Sequence, residues 1–306
     1  MRFSTHYMYQ HNIDSITKSM SSGNNVNARL AAGQTLLTPS DDPAGASEAV
    51  ALQNSLAGMS QYDTARTHAQ DALGQEDNTL SSIQSVLTGN LTSKIIAGGD
   101  GAYSDQDRQA LATELQGIRN NLADLGNTRD SSGRYIFAGY KTGSAPFAED
   151  GSYVGGDTQI TQKISDNLEI PVSHTGQQLF MSGSSDDLLA AVDKAIAALN
   201  KPCASDADRQ ALMDTLDSVN VTVKKNVDNI GKIQSEVGTN QQHLDTLTFS
   251  AEAQKINVTA RLQQAIGSDS DTQIGLITQS KMSEFALTSS MTVFQAMQKI
   301  SIFNFT

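Results

Sequence analysis

The side chains that could do chemistry are few and scattered. The five histidines are His6, His11, His68, His174 and His243. No two of them share metal-ligand spacing on a common face, so all five read as ordinary polar residues. Cys203 follows Pro202 and has no neighbouring base in sequence, which makes it a small neutral residue rather than a nucleophile. The pairs Asp105/Asp107, Asp186/Asp187 and Asp269/Asp271 each stand where a helix is expected to begin. A helix N-terminus favours negative charge and Asp is a good N-cap, so capping outranks metal binding. The chain holds no Gly-x-x-x-x-Gly-Lys phosphate loop, no Gly-x-Ser-x-Gly elbow and no His-Glu-x-x-His pair. Asn90-Leu91-Thr92 fits a glycosylation acceptor, but such triplets recur by chance. No catalytic residue, metal ligand or cofactor site is expected, and the chain reads as a non-enzyme.

Charge and composition exclude further classes. Lys and Arg total 21 against 33 Asp and Glu, a net charge of -12 over 306 residues. That argues against a nucleic-acid partner, which needs a basic face, and against anionic membranes. The longest apolar runs fall well short of the ~18 residues of a membrane span. The first 25 residues lack the apolar stretch of a cleaved secretory signal. One cysteine cannot form an intramolecular disulfide. Aromatics are only 5% and Trp is absent, which suits thin helical packing through Leu, Ile, Val and Ala.

The elements that must position these residues are mostly helical. Stepping by four and three from Leu212 visits Leu216, Val219, Val223, Asn226, Ile230, Ile233, Val237, Asn240, Leu244 and Leu247. The spacing predicts one long helix over 206–266 with a coiled-coil-like seam, about 90 Å long at 1.5 Å per residue. Asn226 and Asn240 either fix its register or sit at the seam's edge. A second long helix is expected over 43–91, with Leu52, Met59, Leu73, Leu80 and Leu87 in sevenfold spacing interrupted by Arg66. A third is expected over 105–130 and a fourth over 185–200. Their stripes should pack together as an elongated bundle.

Between the third and fourth helices the period changes. The stretch 133–182 holds glycine-containing breaks, Pro146 and Pro171, and the runs RYIFAGY, TQITQKI, LEIPV and QQLFM, which read as short strands. Asp166-Asn167 reads as a turn. The expected fold is therefore mainly α with an inserted β-rich domain. It divides into a helical rod of 43–132 and 184–266, a small β-rich outer domain of 133–183, and a terminal helical region of 1–42 and 267–306. The terminal helices are polar and weakly amphipathic, the kind of segment that gains order from a partner.

Two boundary segments stand out. In Thr38-Pro39-Ser40-Asp41-Asp42-Pro43-Ala44-Gly45, Asp42 can cap the long helix with Pro43 at its first position. In NTRDSSGRYIFAGYKT (127–142), Gly133 can end the third helix in a left-handed cap and RYIFAGY can begin a strand. With the start MRFST followed by Tyr9, the stretch LTPSDDPAGASEAVALQ and the ending ISIFNFT, the whole chain resembles the flagellin-like axial proteins of the bacterial flagellum. More closely, it is similar to the hook-filament junction branch of that family. The segment Leu30-Ala31-Ala32-Gly33-Gln34 and the final Phe305-Thr306 depart from the family pattern.

The resemblance implies a flagellin-like rod with both termini helical and paired, disordered in the monomer and ordered on assembly. It implies a structural adaptor, joining the hook, through the first hook-associated protein, to the flagellin filament by subunit packing. Flagellin, neighbouring copies of the same chain and a flagellar export chaperone would be its partners. Its place would be outside the cell, after export by the flagellar type III apparatus without a cleaved signal peptide. The expected assembly residues are Phe3, Tyr9, Ile13 and Ile16 at one end, and Phe294, Met297, Ile300, Ile302 and Phe303 at the other. An ordinary helix pair within one chain would leave the same stripe. The rival readings are the flagellin filament subunit itself and a non-flagellar coiled-coil binding module.

Overall fold

The computed structural model describes residues 5–303. Its helices are α1 (Thr5–Ala32), α2 (Pro43–Ser85), α3 (Thr92–Gly98), α4 (Asp105–Gly126), α5 (Gly176–Phe180), α6 (Leu188–Leu199), α7 (Asp206–Ile266) and α8 (Ser270–Phe303). A π-helical segment, Val86–Leu91, joins α2 to α3, and strands β1 (Thr161–Ser165) and β2 (Leu168–Pro171) form one antiparallel hairpin. The fold is mainly α. The chain divides into two compact units, Met1–Ser60 with Ala251–Thr306, and Gln61–Ser250. Helices α2 and α7 contribute residues to both.

The unit of 61–250 holds a continuous apolar core. Leu73, Leu80, Ile83, Leu87, Leu91 and Ile95 enter it from α2 to α3, Leu115 and Leu122 from α4, and Val192 and Leu199 from α6. From α7 come Leu216, Val223, Ile230, Val237 and Leu244. The leucine spacing continues through the π turn because the carbonyl of Leu87 accepts from both the amide and the hydroxyl of Thr92, five residues on. Gly89 and Asn90, poor helix formers, sit in that wider turn.

Several polar side chains in or beside this core tie elements together. Arg66, which breaks the leucine spacing of α2, is buried and donates to the carbonyl of Ile164 in β1 and to Asp63. Asn226 is wholly buried, and its amide donates to the carbonyls of Asp186 (2.9 Å) and Thr222 (3.0 Å). It therefore fixes the start of α6 against α7 instead of sitting at an edge. Asn240 is half-buried at the seam's rim and reaches the carbonyl of Pro171 at 3.5 Å.

The segment between α4 and α6 departs from the expected string of strands. TQITQKI and LEIPV form the hairpin, with Asp166-Asn167 at its turn. RYIFAGY is a succession of turns with a single bridge, Arg129 to Tyr135. The Asp130 carboxylate accepts from the amides of Ser132 and Arg134, and Gly139 adopts φ +56°, so the backbone curls before a ladder can form. Gly133 has φ +79° as expected, but its amide closes the Asp130 turn, while α4 ends earlier, at Gly126. QQLFM is helix α5, because Thr175 and Gln178 make a reciprocal capping box. Phe147 packs between Tyr153 and Phe180, at 5.5 and 5.2 Å between ring centroids. A Cβ on Gly126 would lie 2.7 Å from the Phe147 ring, which is why that helix can approach so closely.

Replacing Leu80, which is fully buried, by Ala should cost about 2–5 kcal/mol through lost transfer energy and a residual cavity. Urea unfolding followed by far-UV circular dichroism checks this. A loss under ~1 kcal/mol would mean that the site collapses freely.

Candidate functional site

The candidate assembly residues other than Phe3 lie on α1 and α8, in the unit of 1–60 and 251–306. The two helices run against each other in opposite directions. Asn27 accepts from the Ser280 hydroxyl at 2.9 Å, Gly23 faces Ser283, and the Tyr9 ring lies 5.1 Å from the Phe294 ring. The Asn12 amide donates to the Met297 sulfur at 2.8 Å. Val26 and Leu276 are the buried apolar residues between them.

A knot of polar contacts sets where α1 ends and α8 begins. Gly33, at φ +67°, ends α1. Immediately after it, the amides of Thr35 and Leu36 both donate to the carbonyl of Ile266, the last residue of α7, at 3.0 and 3.1 Å. Gly267, at φ +64°, turns the chain from α7 into α8, and a Cβ there would collide with the Thr35 side chain. The PSDDP stretch completes the knot. Asp41 accepts from the amides of Leu37 and Thr38 and pairs with Arg29 at 3.6 Å. The Thr38 amide above all, helped by the Thr38 hydroxyl, the Leu37 amide and Arg29, holds the Asp41 carboxyl below its ordinary range against the opposing effect of burial. Asp42 caps α2 by accepting from the Ala44 amide at 3.1 Å. Arg261 pairs with Glu48 at 2.8 Å. At the start of α8, Asp269 accepts from the amide and hydroxyl of Thr272. Asp107, with Ser104, and Asp187 likewise cap α4 and α6.

The sequence-derived assembly residues divide into three groups. Tyr9 and Phe294 touch each other, and Ile13, Ile16 and Phe294 line one shallow groove with Met291. Met297 meets Asn12. Phe3 lies outside the described residues. Ile300, Ile302 and Phe303 fall within α8, but their side chains also lie outside the described part. Around these, large apolar side chains stand in solvent: Tyr7 and Met8 on α1, and Ile274, Met282, Phe285 and Val293 on α8. Phe285 is 74% exposed and Met282 69%. Met282, Tyr7 and Met8 were not singled out by heptad spacing, because they lie off the main stripe. The scarcity of charge and the spread of apolar residues around α8 were the available signals.

His174 also departs from the sequence reading. It is buried between Glu76 of α2 and Glu236 of α7, in the unit of 61–250. Nothing in the sequence links positions 98 residues apart. Among the described residues no group of three His, Cys, Asp or Glu is arranged to hold a metal, and no helix is long and apolar enough to cross a membrane.

Residues 3–142 match the bacterial flagellin N-terminal helical region. With a second long helix at the other end of the chain, this defines the class: a flagellin-like structural protein of the bacterial flagellum, the organelle of motility. The chain is 36% identical over 317 residues to flagellar hook-associated protein 3 of Escherichia coli strain K12, covering 99% of both chains. It is 34% identical to the protein of that name from Salmonella typhimurium strain LT2, again over 99% of both. The chain belongs to the flagellar hook-associated protein 3 family. Solved structures share the fold. A putative flagellar hook-associated protein from Vibrio parahaemolyticus superposes with a TM-score of 0.64 at 23% identity, covering 74% of this chain and 100% of that one. FlgL of Bacillus cereus gives 0.54 at 27% identity, covering 70% and 99%.

Substituting Gly267 by Ala should strain the left-handed turn by about 1–2 kcal/mol and displace Thr35 from Ile266. The expected result is faster amide exchange at Thr35 and Leu36 and earlier proteolysis within 270–303. Unchanged exchange at both amides would mean that the knot does not depend on this turn.

Proposed function

We propose that the protein is the adaptor between the flagellar hook and the flagellin filament, and that it acts by subunit packing with no catalytic step. The observation that carries this reading is the set of large apolar side chains left in solvent on α1 and α8, in a chain similar over its full length to hook-associated protein 3. Monomers rarely leave so much apolar surface uncovered unless a partner covers it. The proposed partners are the first hook-associated protein on one side, flagellin on the other, and neighbouring copies within the layer. Such contacts are heterologous, each copy offering different faces to its two neighbours. Before assembly an export chaperone would shield α8, and the chain would leave the cell through the flagellar type III apparatus.

In this reading the regions have separate tasks. Residues 1–42 and 267–306 form the assembly surface, with Phe3, Tyr9, Ile13, Ile16, Phe294, Met297, Ile300, Ile302 and Phe303 as its anchors. Residues 43–132 and 184–266 form a rod, and 133–183 the outward-facing part. The termini gain their full burial only beside other subunits, so limited proteolysis of the monomer should trim about 40 residues from each end and leave a resistant core.

Two measurements test the reading. Cells lacking the gene, viewed by electron microscopy, should carry hooks without filaments and shed flagellin into the medium. Normal filaments would overturn the adaptor role. Ile300→Asp with Phe303→Asp should leave the monomer's thermal transition in place and abolish filament attachment. If the transition itself is lost, these positions serve the monomer's own fold.

A further inference from the structure

His174 lies on the short segment between β2 and α5, and three elements meet at its ring. Its backbone amide and Nδ1 both face Oε1 of Glu76, at 2.8 and 2.9 Å. Nε2 faces Oε2 of Glu236 at 3.1 Å. The imidazole is 4% exposed and the Glu76 side chain 1%, whereas Glu236 is 67% exposed. Oε2 of Glu76 is buried without a hydrogen-bond partner. A buried carboxylate so thinly satisfied is costly unless a cation stands beside it.

The surroundings leave that cation to be His174. Glu76 from α2 and Glu236 from α7 are the charged groups that act on the ring. On its own segment the neighbours are the uncharged Ser173 and Thr175, both buried. From the preceding loop comes Tyr153, whose hydroxyl donates to the Gly156 carbonyl at 2.5 Å and which burial, first, and Asp157 push above the usual phenol range. It stays neutral while His174 titrates. Burial pulls the imidazole's pKa down, but the hydrogen bonds and charges of Glu76 and Glu236 outweigh it, and the net shift is upward.

We propose that Glu76, His174 and Glu236 form a proton-dependent clamp that holds the 172–175 segment to α2 and α7 when the imidazole is charged and lets go of α7 when it is neutral. Only the imidazolium can donate from both ring nitrogens to two carboxylates. When the proton leaves, the Nδ1–H remains on Glu76 and the bare Nε2 lone pair faces the Glu236 carboxylate. That contact turns repulsive, and Glu236, already on the surface, swings into water. The segment stays tied at its flanks, where the Val172 amide donates to Ile160 and the Gly176 amide to Phe137. The release is therefore local. The sign follows from linkage. A histidine whose folded-state pKa is raised stabilises fully below its ordinary value of 6.5, and this contribution is lost as pH rises through the raised value.

The test uses the full-length monomer. Proton NMR of the His174 ring, thermal unfolding and amide exchange at residues 172–176 would be followed from pH 5 to 9, with His174→Gln and Glu236→Gln as variants. The wild type should titrate above 6.5, lose thermal stability and gain exchange at 172–176 across the same window. Glu236→Gln replaces an exposed group, keeps the fold, and should lower the ring's titration midpoint and narrow the exchange change. His174→Gln should be less stable at low pH and flat across the window. If it fails to fold, the Glu236→Gln midpoint still decides. A ring that titrates at or below 6.5, or wild-type and Glu236→Gln midpoints that coincide, overturns the clamp.

Discussion

The carbonyl of Ile266 accepts from two successive amides, those of Thr35 and Leu36, and the terminal helices depend on that junction. It is the place where the chain leaving α1 meets the chain leaving α7. Helix ends carry unsatisfied carbonyls that must find donors, and here the donors come from a strap more than two hundred residues away in sequence. Gly33 and Gly267 supply the two left-handed turns that bring the strap and the helix end into register. The acidic pair of the PSDDP stretch then divides its work. Asp41 folds the strap back on itself and onto Arg29, while Asp42 starts α2. With the end of α1 and the start of α8 fixed in this way, the two helices meet along their length, at Asn27 and Ser280, Tyr9 and Phe294, and Asn12 and Met297.

That pairing still leaves apolar surface free. In the unit of 61–250 the leucine and valine stripes of α2, α4, α6 and α7 close on each other and on Phe137, Phe147 and Phe180. On α1 and α8 comparable residues are only half covered: Tyr9 rests on Phe294, yet Phe285 and Met282 stand in solvent. The same type of side chain thus serves two ends. Buried within the chain, it holds the fold; left outside, it is available to a neighbour. Among the polar residues that enter the core, Arg66, Asn226 and His174 each bind a backbone carbonyl or carboxylate from a different part of the chain. They specify which elements meet, whereas the leucines supply most of the stabilisation.

Much of the helical framework was legible because heptad spacing is a local signal that repeats. The four-and-three steps from Leu212 gave α7 its full extent, and Asp42-Pro43 marked the start of α2. The outer segment was less legible. RYIFAGY has strand composition, but Asp130 and Gly139 turn its backbone before it can find a partner, and strand pairing is a property of two segments, never of one. QQLFM has strand composition too, yet the Thr175–Gln178 box lay in plain view as a helix start. The assembly residues were legible as a stripe. Which of them are covered within the chain was not, since burial by a partner helix and burial by a partner subunit leave the same pattern.

By itself, the sequence determined where the long helices run, how they are capped, which residues are apolar, and, through PSDDP and its companion segments, the family. Periodicity and capping act over a few residues, so they can be read along the chain. Only the tertiary structure decided what those residues touch. It placed Thr35 and Leu36 on Ile266, Arg66 on the hairpin, Asn226 at the start of α6, and His174 between two glutamates from distant helices. Each of these is a hydrogen bond between segments far apart in sequence. Its geometry exists only after packing has brought the segments within about 3 Å of each other.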